Sequence, residues 1–314
     1  MRNEKSFLFV ISSFLFLLIS CRSAPQIPET IFPETGYLPL ESGASAYIIV
    51  DVTNARPVFD YLNTSLMNNK QFRDIVNRTQ LAMGAIFFPE YPGDQTISGN
   101  VPSMNKLRYQ LRAWGRYPSF RAKMAFGSNE NWEKYRSGQS RTAYWHSARD
   151  RLSVAIDSGQ AFVAAATGES PVDPIPVVTE VKIPDGFGEF SEGAVLSCWL
   201  EKPDVIVNKK LSEMGLPIEL PAEQIFFCLL PDAEGHYYTA NIMIQVPSPT
   251  QARALTVIFT LARGFLQEAN SGGAALLASV LFSNPPVLDG RTLYIKTDAL
   301  GPQEISLLFG LFLI

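Results

Sequence analysis

Two stretches of the chain carry the same order of signals: Tyr109-Gln-Leu-Arg-Ala-Trp-Gly-Arg-Tyr-Pro-Ser119 and Tyr238-Thr-Ala-Asn-Ile-Met-Ile-Gln-Val-Pro-Ser248. In each, a run typical of a β-strand ends at a Pro-Ser pair, and an apolar helical stretch follows, at residues 120–126 and 249–259. A serine there can cap the first helical turn, and a proline costs little because its missing N–H would be unpaired anyway. The repetition predicts two halves with one architecture.

The similarity extends outward from this motif. Each half opens with a predicted strand and helix, continues with a strand that stops at a proline and an acid, and closes with a strand after the second helix. These segments are residues 46–52, 55–66, 81–88 and 160–165 in the first half, and 194–200, 205–214, 225–230 and 292–297 in the second. The order predicts an α+β fold of two tandem ferredoxin-like, or split βαβ, repeats, with antiparallel sheets and helices packed on one face. The alternative is that the halves share only generic turn signals.

The first 21 residues have the form of a signal peptide. Arg2 and Lys5 precede an apolar run over residues 7–19, which is shorter than the roughly 18 apolar residues of a spanning helix. The run ends in Leu18-Ile19-Ser20-Cys21, which resembles the lipobox of bacterial lipoproteins, and the phenylalanine-rich signal is similar to the spirochaete type. The alternatives are a signal anchor and an ordinary signal peptide with a cysteine at this position by chance.

The resemblance to lipoproteins implies an address in the cell envelope. In that family the chain is cut before the lipobox cysteine, here Cys21, whose sulfur takes a diacylglyceryl group and whose new amino group is acylated. Two or three acyl chains of the palmitate kind anchor firmly, because each buried methylene contributes about 0.8 kcal/mol. Arg22 stands where an aspartate would favour the inner membrane. We therefore expect export and lipid anchoring at the outer membrane, on its periplasmic or surface face.

Proline-rich segments separate the predicted parts of the chain. Four prolines between residues 22 and 41 are typical of an extended tether, and prolines, glycines and acids break any periodicity between 168 and 188. In chain order, the parts are a signal peptide at 1–20, a lipidated tether at 21–41, a first α+β repeat at 42–167, a linker at 168–188 and a second α+β repeat at 189–314.

Few residues could carry catalytic chemistry. The chain has two histidines, His146 and His236, which lie in different halves without the spacing of a zinc site, and it has no HExxH, GxSxG, P-loop or GxGxxG motif. Cys198 and Cys228 fall in strands that the predicted topology keeps apart, which favours two buried free thiols over a disulfide. We expect no enzyme activity, no catalytic or metal-binding residue, and no cofactor besides the covalent lipid on Cys21.

Charge is unevenly distributed along the chain. The mature part has 24 basic and 29 acidic residues, a net charge of −5, which gives no chain-wide signature of nucleic-acid binding. Between residues 106 and 151, however, eight arginines and three lysines stand against three acids, so this segment carries +8 and the rest of the mature chain −13. The segment suits an anionic partner.

The predicted strand 107–116 places much of this charge on one face. Alternate residues of a strand point to opposite sides of the sheet, so Tyr109 and Leu111 share one face while arginines and a tryptophan share the other. If the first face packs on helices, the second is open to a partner. The expected partner-binding residues, with two nearby aromatics, are Arg108, Arg112, Trp114, Arg116, Tyr144 and Trp145.

These observations favour a non-enzymatic binding or scaffold module of the envelope. Arginine grips phosphate or carboxylate with two parallel hydrogen bonds, so the partner class is an anionic lipid, a polysaccharide or an acidic protein, and nucleic acid is less favoured. A second reading is that the basic face docks against the acidic second half. A third is an amphiphile carrier whose pocket lies between the sheet and the apolar helix 255–265, although core helices are equally apolar.

Overall fold

The computed structural model describes the residues 36–62, 77–87, 108–149, 151–157, 159–165, 171–175, 181–201, 203, 207–208, 219–268, 280, 283–301 and 304–305. The lipobox lies outside the described residues. So, almost entirely, does the predicted helix 205–214.

The described chain contains fourteen strands and four helices. The strands are β1 Tyr37–Leu38, β2 Ala46–Asp51, β3 Thr79–Phe87, β4 Arg108–Gly115, β5 Glu133–Arg136, β6 Ala143–Ser147, β7 Leu152–Asp157, β8 Gln160–Ala165, β9 Val181–Lys182, β10 Leu196–Leu200, β11 Gln224–Pro231, β12 Tyr238–Gln245, β13 Val287–Asp289 and β14 Thr292–Lys296. The helices are α1 Arg56–Leu62, α2 Ser119–Gly127, α3 Phe187–Phe190 and α4 Pro249–Glu268. Antiparallel sheet with a few helices confirms the predicted α+β class.

These elements form two compact units. The first holds the described residues up to Thr53 and those between Leu66 and Ile183, and the second holds those from Pro184 on together with α1. In the first unit seven strands pair antiparallel in the order β2-β3-β4-β8-β7-β6-β5, and β1 pairs with β9. In the second, five strands pair antiparallel in the order β13-β14-β12-β11-β10.

The ferredoxin-like detail of the prediction is not confirmed. A split βαβ unit places another strand between the two strands that flank its first helix. Here β2 pairs directly with β3, antiparallel, with Ile49 opposite Met83. In both units the four predicted strands instead lie in sequence order, β2-β3-β4-β8 and β10-β11-β12-β14.

Three strands of the first unit, β5 to β7, were not predicted, although short runs such as Leu152–Asp157 alternate in the manner of a strand. They extend the sheet beyond β8, and α2 packs over them. The core beneath the helix contains Phe126, which stacks on Trp145 at 5.4 Å between ring centroids and meets Trp132 edge-on at 4.7 Å. This packing explains how a short nine-residue helix is held in place, since helices of that length are marginal alone.

The first unit includes residues at both of its ends that were predicted to be tether and linker. Residues 36–41 belong to the predicted tether, yet Tyr37–Leu38 pairs with Val181–Lys182, which lies in the predicted linker. The side chains of Leu38 and Leu40 are fully buried. Burial of these two leucines contributes about 1.5–3 kcal/mol each, which helps to hold this segment against the first unit.

The second unit is built on an alternating strand. Along β12 every second residue is buried, from Tyr238 to Ile244, as expected for a strand with one face on a core. Across the unit, Phe187 of α3 lies edge-on to Trp199 and to Phe226, at 4.7 and 5.0 Å between ring centroids. These ring contacts pack α3 against β10 and β11.

Cys198 and Cys228 are free thiols, as predicted, but for a different reason. Both are buried. The strands that carry them are neighbours, contrary to the prediction, but Cys228 lies opposite Ser197 and Cys198 lies opposite Phe227. Because adjacent residues of a strand point to opposite faces, the one-residue offset sends the two sulfurs to opposite sides of the sheet.

Candidate functional site

The alternation predicted for β4 is correct, but its basic face is partly covered by another segment of the chain. Arg112 lies in one row with Met83 and Phe162, on the face opposite Leu111. We call residues Gly36–Glu41 the N-terminal strap, because hydrogen bonds tie this segment to the arginine side of β4. The expectation of an open arginine face is therefore wrong.

Arg108 forms an ion pair with a residue of the same chain. Its Nη1 and Nη2 atoms donate to the two carboxylate oxygens of Glu41 at 2.7 and 2.5 Å. The guanidinium also lies 3.7 Å from the ring centroid of Phe87. Beside it, the backbone N–H of Glu41 donates to Oε1 of Gln110. These contacts fasten the end of the strap to the first residues of β4.

Arg112 is mostly buried and contacts neutral groups. Its Nε and Nη2 atoms donate to Oε1 of Gln160 at 3.2 and 2.8 Å, and Nη1 donates to the carbonyl of Pro39 at 3.4 Å. The rings of Trp114 and Phe162 lie 4.8 and 5.1 Å from the guanidinium. Burial lowers the pKa of Arg112 to about 10. The Arg112 side chain therefore packs between the strap and the sheet.

The remaining predicted partner residues are scattered. Trp114 and Tyr144 are buried on the covered face, where Tyr144 stacks on Tyr135 at 5.5 Å. Arg116, just past the end of β4, is exposed. Trp145 points to the other face, because it is adjacent in sequence to Tyr144. The structure therefore does not bring the six predicted residues together.

A groove opens on that other face, beside α2. It has a volume of about 560 Å³, within the usual range for ligand sites. We call it the basic groove; its lining residues are Phe120, Lys123, Met124, Lys134, Arg141, Thr142, Ala143, Trp145 and Asp157. All of them belong to the first unit.

The helix α2 gives the groove an apolar wall. Phe120 and Met124 are one helical turn apart, so their side chains share a face. They are 72% and 61% exposed, whereas Phe126 of the same helix is buried. Helix α2 therefore packs on the sheet with one side and presents a large aromatic and a methionine to solvent with the other.

Cations surround this apolar wall. Lys134 of β5 and Arg141 of the β5–β6 turn are exposed, Lys123 of α2 is half-buried, and Asp157 is the one carboxylate in the lining. Three cations around exposed apolar side chains attract an anionic group that also carries apolar surface. The sequence signal that could have located this site is the i, i+4 pair of Phe120 and Met124 in the basic segment.

Trp145 is among the residues that line the groove, and it has a buried hydrogen-bond donor without a partner in the described part of the chain. The side chain is 2% exposed, and its indole Nε1 has no hydrogen-bond partner among the described residues. A buried N–H without an acceptor costs free energy, about 1–3 kcal/mol. Of the six residues predicted from the sequence to bind a partner, Trp145 is the one that lines the groove.

Neither histidine forms a catalytic arrangement with the groove. His146 is buried on the covered face, where its Nδ1 lies 3.0 Å from Oγ of Ser153. Burial lowers the pKa of His146, and the nearby Glu133 opposes that change. His236 lies on an exposed turn. Among the described residues, no group of three or more His, Cys, Asp or Glu side chains could hold a metal ion.

Within the described part of the chain, no helix has both the length and the apolar character needed to cross a membrane.

Comparison with protein-family models and with curated proteins found no match. Solved structures do match: crystal forms III, I and IV of TP0453, a spirochaete protein, have TM-scores of 0.55, 0.53 and 0.56 at 15, 17 and 15% sequence identity. The matches cover 87, 89 and 88% of this chain and 96, 100 and 98% of those chains. Since identity this low shows the fold alone, the chain is similar to TP0453 in fold.

Proposed function

We propose that this protein is a lipid-anchored lipoprotein of the bacterial envelope that binds an anionic envelope partner in its basic groove, without catalysis. The observation that carries the proposal is the lining of the groove, where Lys123, Lys134 and Arg141 surround the exposed Phe120 and Met124. The partner class is an anionic lipid, a polysaccharide or an acidic protein. The proposed binding surface therefore lies on the opposite face of the sheet from the arginine face of β4, which the sequence predicted.

Reversal of two groove charges tests this proposal. The wild-type chain from Arg22 to Ile314 should bind vesicles that contain phosphatidylglycerol, or a sulfated polysaccharide, at low salt and release them as salt rises. Because each surface cation contributes about 1 kcal/mol at an anionic surface, Lys134→Glu with Arg141→Glu should weaken binding at least about tenfold. The matched control is Arg253→Glu with Lys296→Glu, which changes two exposed cations of the second unit. Equal binding by the groove variant and the control would overturn the proposal.

The lipid anchor at Cys21 has its own test. Replacement of Cys21 with serine should abolish incorporation of labelled palmitate and processing of the signal, and should move the protein from the membrane fraction to the soluble fraction. Washed outer and inner membranes, separated by density, should show the wild-type protein in the outer membrane. Unchanged labelling and fractionation of the variant would contradict the proposed location in the cell envelope.

A second candidate function is transport of an amphiphile by the second unit. It is favoured by Val257 and Leu261 of α4, one helical turn apart, which are 58% and 56% exposed. Such an apolar stripe on a helix could cover the acyl chain of a bound lipid. Mass spectrometry of extracts from the purified chain would detect a co-purifying amphiphile, and its absence would remove this candidate.

The shared strand order supports the proposal that the two halves are tandem repeats of one module. Each module has four antiparallel strands in sequence order, and each Pro-Ser pair lies where the chain passes from the third strand into a helix. An experimental structure tests the repeat by superposition of β2-β3-β4-β8 with α2 on β10-β11-β12-β14 with α4. Different helix positions on the two sheets would contradict it.

A further inference from the structure

The turn between β11 and β12 presents an aromatic ring beside carboxylates. We call residues 232–237 the acidic turn, since they include Asp232 and Glu234 and no lysine or arginine. Asp232 holds it: its backbone N–H donates to the carbonyl of Tyr237 at 2.8 Å, and its carboxylate accepts the N–H of His236 at 2.9 Å. Tyr237 is 53% exposed at this fixed position.

The acidic turn and the basic groove are complementary in chemistry. The groove offers cations together with an exposed phenylalanine and methionine, whereas the turn offers carboxylates and an exposed tyrosine. A volume of about 560 Å³ leaves room for one aromatic side chain with its neighbours. Buried tyrosines with a polar end are typical anchors of protein interfaces.

The charge of the whole chain supports the same pairing. Residues 106–151, which contain most of the groove, carry +8, while the remainder of the mature chain carries −13. Opposite potentials on two surfaces of one protein steer separate copies into a head-to-tail orientation and disfavour the pairing of like surfaces.

We infer that the acidic turn of one copy docks in the basic groove of a second copy, with the Tyr237 ring beside Phe120 and Met124 and the Glu234 carboxylate beside Lys134 and Arg141. The inference rests on the proposed function, because the groove is the same anion-binding surface. Each copy has one groove and one turn, so the contact joins unlike surfaces. Such contacts grow into open chains unless the rotation closes a ring, and on a membrane they would arrange the anchored proteins in rows.

Sedimentation velocity of the chain from Arg22 to Ile314 tests the contact. The wild type should associate as its concentration rises, and high salt should reverse the association. The groove variant, Lys134→Glu with Arg141→Glu, and the turn variant, Glu234→Gln with Tyr237→Ser, should each stay monomeric. Each variant keeps one intact surface, so an equimolar mixture should form dimers and no larger species. The Arg253→Glu, Lys296→Glu control should associate like the wild type.

Three results would overturn the inference: a wild type that stays monomeric at every concentration, variants that associate like the wild type, or a mixture that stays monomeric although circular dichroism shows both variants folded. Vesicle binding separates this inference from the proposed function. The turn variant retains the groove and should bind anionic vesicles at least as well as the wild type. If groove reversal affects association alone, the proposed function fails; if it affects vesicle binding alone, the self-docking fails.

Discussion

The guanidinium of Arg108 and the carboxylate of Glu41 form a two-pronged ion pair, with both donor nitrogens within 2.7 Å of an oxygen. Arginine prefers this geometry for carboxylates, which is why the sequence suggested an external anionic partner. The chain supplies that carboxylate itself, from the N-terminal strap. The pair thus converts a residue predicted to bind a partner into one that fastens the start of the folded chain.

Disruption of this ion pair should loosen the strap. Both side chains are about one-third exposed, so the pair should contribute about 1 kcal/mol or less to the free energy of unfolding. Glu41→Gln and Arg108→Gln should each lower the midpoint of urea unfolding slightly, and the double variant should lose no more than Arg108→Gln alone, which also removes the contact with Phe87. Hydrogen exchange of residues 37–41 should speed up in all three. Additive losses in the double variant would show that the two residues act independently.

Gly115 should tolerate no side chain. A Cβ atom there would lie 2.2 Å from the carbonyl oxygen of Arg78 and 2.9 Å from its carbon, at the point where the pairing of β3 and β4 shifts register. Gly115→Ala should therefore lower the free energy of unfolding by about 1–3 kcal/mol, because backbone must move. Gly127→Ala is the control, since a Cβ at Gly127 has no neighbour within 4 Å. Equal urea midpoints for the two variants would contradict the close packing.

His146 should make the stability of the protein depend on pH. Burial lowers the pKa of His146 in the folded protein, so between that pKa and the usual value near 6.5 the unfolded chain binds more protons. The stability from the neutral ring is therefore fully present above about pH 6.5 and is lost as the pH falls. His146→Gln should flatten the fall in urea midpoint between pH 7.5 and pH 5. An equally steep fall in His146→Gln would assign the effect to other groups.

The two thiols of the mature domain should resist modification. Burial raises the pKa of both Cys198 and Cys228 to about 12, and the thiolate is the reactive form. In a Cys21→Ser background, a maleimide should label neither cysteine in the folded protein and both in concentrated urea. Peptide mapping without reductant should find both thiols free. A peptide that links the two residues would contradict the offset between β10 and β11.

The sequence alone was sufficient for the α+β class and for most of the strands that both halves share. Alternation and Pro-Ser boundaries are local signals, and the strand Gln160–Ala165 agrees with its prediction residue by residue. Strand order depends on contacts between distant segments. The sequences of Ala46–Asp51 and Thr79–Phe87 fit a split βαβ unit as well as they fit a sheet in sequence order. Only their direct pairing shows that the sheet follows sequence order.

The same division holds for the candidate site. Parity along β4 correctly separated Arg112 from Leu111, because the alternation of side chains is a property of the strand itself. Which face meets solvent was decided by segments far away in sequence, since the strap contacts Arg108 and Arg112 and α2 leaves Phe120 and Met124 exposed. Local sequence thus determined which residues share a face, whereas long-range packing determined which face is left for a partner.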